Sequence, residues 1–435
     1  MQYLPNIIFA IVLIAGVGFF VKNIRKLIRN IKLGKSVDRS DHKSARWKNM
    51  AKIALGQYKM VRRPVSGILH VAVYLGFVII NIEVLEIIID GLFGTHRVFQ
   101  PILGDAFYGF LIATFEILAA IVFAAVIIFW IRRNVIRVKR FWNKEMTSWP
   151  KNDGNIILYF EMVLMTLFIV MNASDVTFQE AGIGNTVSQF IAPLLNGFSI
   201  ETLHVIEQSA WWIHIIGILV FLNYLYYSKH LHILLAFPNT FYANLNPKGQ
   251  FNNLESVTKE VQLMMDPSAD PYAAPPEGAE EEVSEKFGAS DVTDLNWVQL
   301  MNSYTCTECG RCTSACPANL TGKELSPRAI MMKTRDRMEE VGKNIDANGG
   351  EFKDDGKQLL NDYISPEELW ACTSCNACVQ ECPVNIDPLS IIMDMRRYLV
   401  MEESAAPQEL NMMMTNIENN GAPWQYNQMD RLNWK

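Results

Sequence analysis

Cysteine spacing is the feature that most constrains this chain. All eight cysteines fall into two copies of the pattern C-x2-C-x2-C-x3-C-P. In this pattern three thiolates bind one 4Fe-4S cluster, and the fourth, beyond the wider gap, ligates a second cluster. The spacing therefore predicts two 4Fe-4S clusters with crossed ligation. The predicted ligands are Cys306, Cys309, Cys312 and Cys382 for cluster 1, and Cys372, Cys375, Cys378 and Cys316 for cluster 2.

Zinc sites and disulfides are the alternative uses of these cysteines, and both fit the spacing poorly. Structural zinc sites favour two C-x2-C pairs, whereas each run here is a triplet followed by Cys-Pro. Disulfides require an oxidising compartment, and the topology predicted below places the thiols in the cytoplasm.

Long apolar segments occupy the first 237 residues, and the remainder is polar and charged. A helix needs about 20 apolar residues to cross a bilayer. The first segment lacks a basic leader and a small-residue cleavage site, so we interpret it as a retained anchor rather than a signal peptide. The predicted spans are residues 4–24, 67–89, 107–131, 155–173 and 211–227.

Lysine and arginine are distributed unevenly among the predicted loops, and basic loops remain on the cytoplasmic side. Residues 22–66 contain fourteen basic side chains and residues 132–154 contain seven. Residues 90–106 contain only Arg97, and residues 172–210 contain none. We therefore expect a multi-pass protein of the cell inner membrane, with its N-terminus outside and its iron-sulfur domain in the cytoplasm. The net charge of -6 gives no indication of nucleic-acid binding.

Histidines in or beside the spans are candidate haem ligands, because polar side chains at bilayer depth are costly and usually functional. His70 lies near the cytoplasmic end of the second span, and His214 and His232 are eighteen residues apart. On one continuous helix eighteen residues make five turns, about 27 Å, which places both imidazoles on one face near opposite membrane surfaces. We predict that His70 and His232 ligate a b haem, with His230 directed away from it.

A second b haem at His214 needs a partner on another helix. Ten residues after His70, at the expected depth, the chain has Ile80. His204 and His96 are the remaining histidines of the outer side, and His204 is the candidate ligand. A five-coordinate haem is the alternative.

Three glutamates lie in the outer half of the predicted bundle: Glu83, Glu86 and Glu116. A carboxylate at bilayer depth is costly unless it is paired or functional. These residues are therefore candidates for protonating a quinone, and helix packing is their alternative role.

The soluble half is predicted to have three parts. Residues 238–296 form an acidic linker, with nine acidic residues against one lysine between residues 266 and 294. This stretch cannot bury enough apolar surface to fold alone. Its prolines are Pro267, Pro271, Pro275 and Pro276.

Residues 297–400 are predicted to form a helical dicluster domain, and residues 401–435 a tail for partner docking. Three signals typical of helix starts support the helical prediction. They are Ser326-Pro327, Ser365 with Glu368, and Asp387-Pro388. The fold class is therefore all-α, a five-span transmembrane helical bundle with a soluble ferredoxin-type domain.

The membrane half resembles the cytochrome b subunit of respiratory nitrate reductases. The resemblance rests on Ile213-His214, the apolar run that follows, and Ser228-Lys229-His230-Leu231-His232-Ile233. It implies five spans and two b haems, with His70 and His232 on the cytoplasmic-side haem and His214 on the outer haem. Ile80 stands where that family has its fourth haem histidine.

Joined to a dicluster domain, this half resembles the membrane-bound relatives of heterodisulfide reductase and of electron-transfer-flavoprotein:menaquinone oxidoreductases. Those proteins usually continue into Cys-Cys-Gly domains, and no cysteine follows Cys382 here. The resemblance implies that the catalytic iron-sulfur module is on another polypeptide or is absent. The segment Gly421-Ala422-Pro423-Trp424, with Arg431 and Trp434, is similar to the end of that family's ferredoxin domain. The dicluster domain itself is similar to the helical ferredoxin domain of fumarate reductase iron-sulfur subunits.

These parts predict the electron-transfer subunit of a membrane oxidoreductase, which relays electrons between a cytoplasmic redox partner and the quinone pool. Menaquinone is the expected quinone. The expected partners are the lipid bilayer and either a separate Cys-Cys-Gly iron-sulfur subunit or an electron-transfer flavoprotein. A quinone-independent membrane anchor with a ferredoxin-like relay, and a redox sensor, are the alternatives. Whether the chain is itself an enzyme stays open, because no substrate site, flavin motif or nucleophile is evident.

Overall fold

A computed structural model describes residues 3–268, 286–425, 427–430 and 432–433. These residues form helices and loops without a β-strand, which confirms the predicted all-α class. Part of the predicted linker and tail lies outside the described residues, namely Pro271, Pro275, Pro276, Arg431 and Trp434.

The first half of the chain contains the long helices. In order, the helices are α1 (Leu4–Ile31), α2 (Lys43–Met50), α3 (Pro64–Phe93), α4 (Phe99–Leu103), α5 (Asp105–Asn134), α6 (Ser148–Ser174), α7 (Val176–Ala181), α8 (Ser188–Ile191), α9 (Ile200–Tyr224) and α10 (His232–Phe241). Five of the described helices, α1, α3, α5, α6 and α9 with the turn after it, are long and apolar enough to cross a membrane. They contain the five predicted spans.

The second half of the chain contains shorter helices. They are α11 (Glu255–Met265), α12 (Trp297–Thr305), α13 (Arg311–Ala315), α14 (Pro317–Leu320), α15 (Pro327–Ala347), α16 (Leu359–Asp362), α17 (Pro366–Trp370), α18 (Ala377–Glu381), α19 (Pro388–Met401) and α20 (Gln408–Asn420). The three predicted helix starts are confirmed, because the side chains of Ser326, Ser365 and Asp387 each accept a hydrogen bond from a backbone N–H of the first turn.

The long helices pack as a bundle in which α3 contacts α5, α5 contacts α6, and α6 and α1 contact α9. Glycine allows one close approach between α1 and α3. A Cβ atom at Gly91 would lie 2.6 Å from the ring of Phe9. Small residues at such contacts let membrane helices approach closely, since packing rather than water exclusion holds them together.

The fifth span does not continue as one helix to His232, and this corrects the geometry predicted for His214 and His232. α9 ends at Tyr224, two 3-10 turns follow, and α10 begins at His232 itself. Asp153 of α6 holds this break, because its carboxylate accepts hydrogen bonds from the Ser228 hydroxyl at 2.7 Å and the Lys229 N–H at 3.1 Å. The predicted separation along one helix axis therefore does not apply.

The C-terminal end of α1 contacts the dicluster domain directly. Asn30 Nδ2 donates to the hydroxyl of Tyr304 at 3.0 Å, and Trp297 Nε1 donates to the Val37 carbonyl at 3.0 Å. Helix α10 also packs on α12. The two halves of the chain are therefore joined by buried polar contacts as well as by sequence.

The domain boundaries differ from the prediction at both ends of the linker. The boundary after residue 237 falls inside α10. Residues 286–296 belong to the dicluster domain, since the Ala289 N–H donates to the Asp394 carbonyl at 3.0 Å. Asp291 pairs with the fully buried Arg337 at 2.8 Å. One of the acidic residues that suggested a linker, Asp291, is therefore the partner of a buried cation.

We predict that Arg337→Ala destabilises the dicluster domain. Arg337 pairs with Asp291 and, at 2.6 Å, with Asp355, and leaving such carboxylates unpaired costs about 3–5 kcal/mol. The loss of iron-sulfur absorbance on heating should shift down by at least about 5 °C. The control is Lys357→Ala, which removes an exposed pair with Glu340 and should shift the midpoint by less than about 2 °C. Equal shifts in the two variants would contradict the structural role given to Arg337.

Candidate functional site

The two cysteine motifs form equivalent loops that face each other. α13 of the first motif packs on α18 of the second. Glu308 and Ser374, each just before the second cysteine of its motif, have φ angles of 53° and 56°. Gly310 and Asn376, each just after it, have φ angles of 70° and 60°. Four left-handed residues at matching places give both loops the same turn, which brings the thiols of each loop together.

Thiols from both motifs meet at one small cavity. The cysteines lining it are Cys306, Cys309, Cys312, Cys378 and Cys382. They include all four ligands predicted for cluster 1, with Cys382 contributed by the second motif. Arg328 and Met331 of α15 complete part of the wall.

The remaining cysteine of the first motif lies on the side of the second motif. In addition to burial, the thiol of Cys316, which lies close to those of Cys372 and Cys378, raises the pKa of both. Cys382 of the second motif thus lies with the first three cysteines, as crossed ligation predicts, and Cys378 borders both groups. Cys375 is exposed, whereas Cys316 and Cys378 are buried, so one edge of this second group reaches the protein surface.

Burial makes these thiols poor acids in the absence of a cation. It raises the pKa of Cys306 to about 12 and that of Cys382 to about 11. Burial likewise raises the pKa of Cys312 and Cys378. A bound metal ion stabilises the thiolate, so such cysteines suit a metal centre better than a reactive free thiol. All eight are free of disulfides.

The loop of the first motif is bonded to both segments that carry the candidate haem histidines. Glu308 accepts a hydrogen bond from the amine of Lys229, three residues before His232. Arg311 donates to the carbonyls of Lys59 and Met60, both at 3.1 Å, just before α3 begins. The first cysteine group therefore lies next to the histidine-bearing end of the bundle.

His70 and His232 face each other at this end, with ring centroids 6.3 Å apart. Two imidazoles on opposite sides of one iron have centroids about 6.2 Å apart, given metal–nitrogen bonds of about 2.0 Å and ring nitrogens about 1.1 Å from the ring centre. The Nδ1 atom of His70 is buried without a hydrogen-bond partner. His232 Nδ1 is 3.1 Å from the Lys229 carbonyl, which leaves Nε2 available to a metal. These two residues fit a bis-histidine haem.

His230 does not point away from His232, contrary to the prediction. Its ring centroid is 5.3 Å from that of His232, and it also packs on Phe221 at 5.3 Å. The 200° offset expected between these histidines assumes an α-helix. A 3-10 turn at Lys229–Leu231 replaces that helix.

His214 is buried in the middle of α9, and its Nδ1 atom has no partner. Its ring packs on Phe168 at 6.2 Å. His204 cannot face it, because the two lie ten residues, about 15 Å, apart on the same helix. His204 instead contacts Glu207 at 3.1 Å. The described residues bring no second histidine to His214, so they do not fit a second bis-histidine haem.

The three span glutamates have different surroundings. Glu116 accepts hydrogen bonds from Asn172 at 3.0 Å and from the N–H groups of Val187 and Ser188 at 2.7 and 3.0 Å. It therefore anchors the segment before α8, which is the packing role considered as its alternative. Glu83 is buried, and its Oε2 atom has no partner.

Glu86 lines the same cavity as Glu83, but its carboxylate is hydrogen-bonded, as that of Glu116 is. It accepts from the Phe99 N–H at 2.7 Å and from the Tyr108 hydroxyl at 3.0 Å. Glu83 and Glu86 both border a cavity at the end of the bundle farthest from the cysteines.

This distal cavity has a volume of about 250 Å³. Its apolar wall is formed by Phe9, Ile87, Met171, Trp211 and Trp212, and its polar wall includes Asn6, Glu83, Glu86, Asp90, His96, Arg97 and Glu207. The cavity thus combines three aromatic side chains with several polar and charged groups, and apolar walls with convergent polar groups are typical of small-molecule binding sites.

Two residues that position the histidine segments were missed by the sequence analysis, Asp153 and Glu308. Asp153 lies in the first two turns of an otherwise apolar helix, and Glu308 lies between two predicted ligands. An acidic residue at either place is costly to bury without a partner. This cost could have marked Asp153 and Glu308 as paired residues, but it could not identify their partners, which are remote in sequence.

Comparisons with known proteins agree with the iron-sulfur part of the site. Residues 305–386 match the family model of the 4Fe-4S dicluster domain. The probable iron-sulfur-binding oxidoreductase FadF of Bacillus subtilis is 29% identical over 99% of this chain and 60% of its own length. The EtfAB:quinone oxidoreductase of Syntrophomonas wolfei is 24% identical over 88% of this chain and 52% of its own length. The chain thus spans less than two thirds of these relatives.

A third relative matches a shorter part of the chain. It is a component of the dihydromethanophenazine:CoB--CoM heterodisulfide reductase of Methanosarcina mazei, 26% identical over 35% of this chain and 37% of its own length. No solved structure matches the chain. The protein is therefore a homologue of iron-sulfur oxidoreductases, with a 4Fe-4S dicluster domain at residues 305–386 joined to five helices able to cross a membrane.

Proposed function

We propose that this protein is the electron-transfer subunit of a membrane oxidoreductase and relays electrons between a cytoplasmic redox partner and the quinone pool. Two 4Fe-4S clusters and b haem would supply the one-electron chemistry when bound. The observation that carries the proposal is the contact of the first cysteine loop with both histidine segments, through Glu308 and Arg311.

The second cysteine group, the first cysteine group and the histidine pair follow one another from the protein surface to the helical bundle. The exposed Cys375 is at the surface, and the buried Cys306 group is next to the facing rings of His70 and His232. Electron transfer needs redox centres close to one another, and buried side chains hold their positions better than exposed ones. We propose the ligand sets given by the crossed cysteine pattern and one b haem held by His70 and His232.

The proposed link to quinone has two supports. One relative is named for quinone, the EtfAB:quinone oxidoreductase. The other is the distal cavity, whose tryptophans and Phe9 can stack on a flat ring. We propose that a quinone headgroup binds there. Because Glu83 lies about 20 Å along α3 from His70, we also propose that the buried His214, whose Nδ1 atom has no partner, holds a five-coordinate haem between the two ends of the bundle.

Glu83 is the proposed proton carrier of this cavity. Quinone reduction takes up protons as well as electrons, so the site needs a group that gives and receives them. The Oε2 atom of Glu83 is free of intramolecular hydrogen bonds, whereas Glu86 and Glu116 are held by their neighbours. Glu86 then serves to fix the cavity wall.

The proposed orientation is cytoplasmic for the cysteines and external for the N-terminus, in the cell inner membrane. Two observations support it. The basic loops lie on the cysteine side, where Arg311 contacts the Lys59 carbonyl and Arg328 donates to the Arg140 carbonyl at 2.7 Å. Basic loops of membrane proteins remain in the cytoplasm.

A partner protein is proposed to dock beside Cys375, where the second cysteine group comes to the surface. A Cys-Cys-Gly iron-sulfur subunit and an electron-transfer flavoprotein are the two proposed candidates, and the relatives named as a heterodisulfide reductase subunit and as an EtfAB:quinone oxidoreductase support a partner of this kind.

Crossed ligation predicts which serine substitutions act on the same cluster. Cys306→Ser and Cys382→Ser should alter one of two electron paramagnetic resonance signals, and Cys316→Ser and Cys372→Ser should alter the other. The measurement is a redox titration of the reduced protein followed by its spectrum. Iron analysis of the unmodified protein should give about eight iron ions per chain. A Cys316→Ser spectrum that changes like that of Cys306→Ser would show that each motif binds its own cluster.

The proposed haem predicts a specific spectroscopic loss. The unmodified protein should contain about two b haems per chain by the pyridine haemochrome assay, and His70→Ala should remove one of them, because one of its two axial ligands is lost. The matched control is His230→Ala, which should keep the haem although its ring is as close to His232 as 5.3 Å. An unchanged haem content in His70→Ala would refute the ligand assignment, and no haem in the unmodified protein would favour an anchor without haem.

The role of Glu83 predicts a slower reaction with quinol in Glu83→Gln. Loss of a general acid or base typically lowers a rate by about 100-fold or more. The rate is measured by stopped-flow reduction of the protein by a soluble quinol, with iron and haem contents checked first. Glu161→Gln is the control, because Glu161 is also buried in a span but lies outside the distal cavity. Equal rates in both variants and the unmodified protein would exclude the proton role of Glu83.

A further inference from the structure

Three ligand-type side chains meet at the rim of the distal cavity, each from a different segment. His96 follows α3, Asp175 follows α6, and Glu207 belongs to α9. One donor atom from each lies within 4.8 Å of the other two. His96 Nε2 is 3.3 Å from Asp175 Oδ2 and 3.7 Å from Glu207 Oε1.

These distances suit a tetrahedral ion. With metal–ligand bonds of about 2.0–2.2 Å, two ligands on one tetrahedral zinc ion lie about 3.3–3.6 Å apart. The contacts made by His96 already fall at or near this range. The two carboxylate oxygens lie within 4.8 Å of each other, so an ion could bind all three ligands after side-chain movements of at most about 1 Å.

Neighbouring groups hold both carboxylates in place. Asp175 Oδ1 accepts the Phe178 N–H at 3.0 Å, and Glu207 Oε2 contacts His204 Nδ1 at 3.1 Å. Each carboxylate thus keeps one oxygen oriented toward His96, as the outer contacts of metal ligands do. Both carboxylates are buried, whereas the His96 side chain is 57% exposed, so an ion can enter from solvent and retain water.

We propose that His96, Asp175 and Glu207 bind one divalent transition-metal cation of the zinc class at this rim. Two carboxylates and an imidazole provide oxygen and nitrogen donors of the kind that zinc accepts. The site does not depend on quinone binding or on electron transfer.

Arg97 lowers the affinity expected for a metal ion at this site. Its Nε atom donates to Asp175 Oδ2 at 2.9 Å, the same oxygen that approaches His96. A carboxylate oxygen has two lone pairs, so it can accept this bond and still ligate a metal. The guanidinium offsets one of the two carboxylate charges. We therefore expect micromolar affinity, weaker than that of closed structural zinc sites.

The test is zinc titration of the full-length protein, purified anaerobically with its iron content verified and washed with a chelator. Isothermal titration calorimetry should give about one saturable site per chain with a Kd in the micromolar range. His96→Ala should weaken binding by at least about tenfold, because a direct ligand is lost. Glu207→Gln, which keeps the side-chain size, should weaken it similarly.

The matched control is His42→Ala. His42 is also an exposed histidine next to a carboxylate, with Nε2 3.8 Å from Asp41 Oδ2, but no third ligand accompanies it among the described residues. This variant should bind zinc as the unmodified protein does. Binding that is absent from the unmodified protein, or that survives His96→Ala undiminished, would overturn the proposal and leave His96 as a protonated partner of the two carboxylates.

Discussion

A buried ion pair between Glu308 and Lys229 connects the two halves of this protein. The side chains are only 3% and 10% exposed, and charges at such depth are tolerated when they are paired. Burial opposes the ionisation of Glu308, but Lys229 and Arg335 together hold its pKa below the usual value. Arg335 approaches it to 2.9 Å. The first cysteine loop is therefore tied electrostatically to the segment that follows the last span.

The same lysine also faces the membrane bundle. Its amine is 3.8 Å from Asp153, and that carboxylate accepts a further hydrogen bond from the Tyr224 hydroxyl at 2.6 Å. Asp153 thereby ends α9 where it does, and Lys229 presents its carbonyl to His232. Contacts through Lys229 thus connect Asp153 of α6, the candidate ligand His232 and the first cysteine loop. Because each member needs its partner, loss of one would disturb the others.

Sequence reasoning succeeded where the signal is local. Cysteine spacing identifies the dicluster domain, apolar length identifies the five spans, and residues such as Ser326 and Ser365 identify helix starts from their immediate neighbours. The rings of His70 and His232 also face each other as expected, although the continuous helix used to place His232 is broken. Apart from His204, which lies on the same helix as His214, the failures involve partners distant in sequence. The break before His232 depends on Asp153, some 75 residues earlier, and no pattern around His232 reveals it. Composition suggests a linker at Asp291 because it cannot reveal the partner, Arg337. Such pairings arise only when helices pack together.

The position of α10 has a consequence for how this molecule can be divided. The first residue of α10 is the candidate haem ligand His232, which faces the bundle. The side of the same helix packs on α12 of the dicluster domain. A soluble fragment cut at the end of the last apolar segment would carry α10 away from His70, and one cut after α10 would uncover the flank of α12. Separating the two halves of this chain at either place would therefore expose a surface that the other half covers.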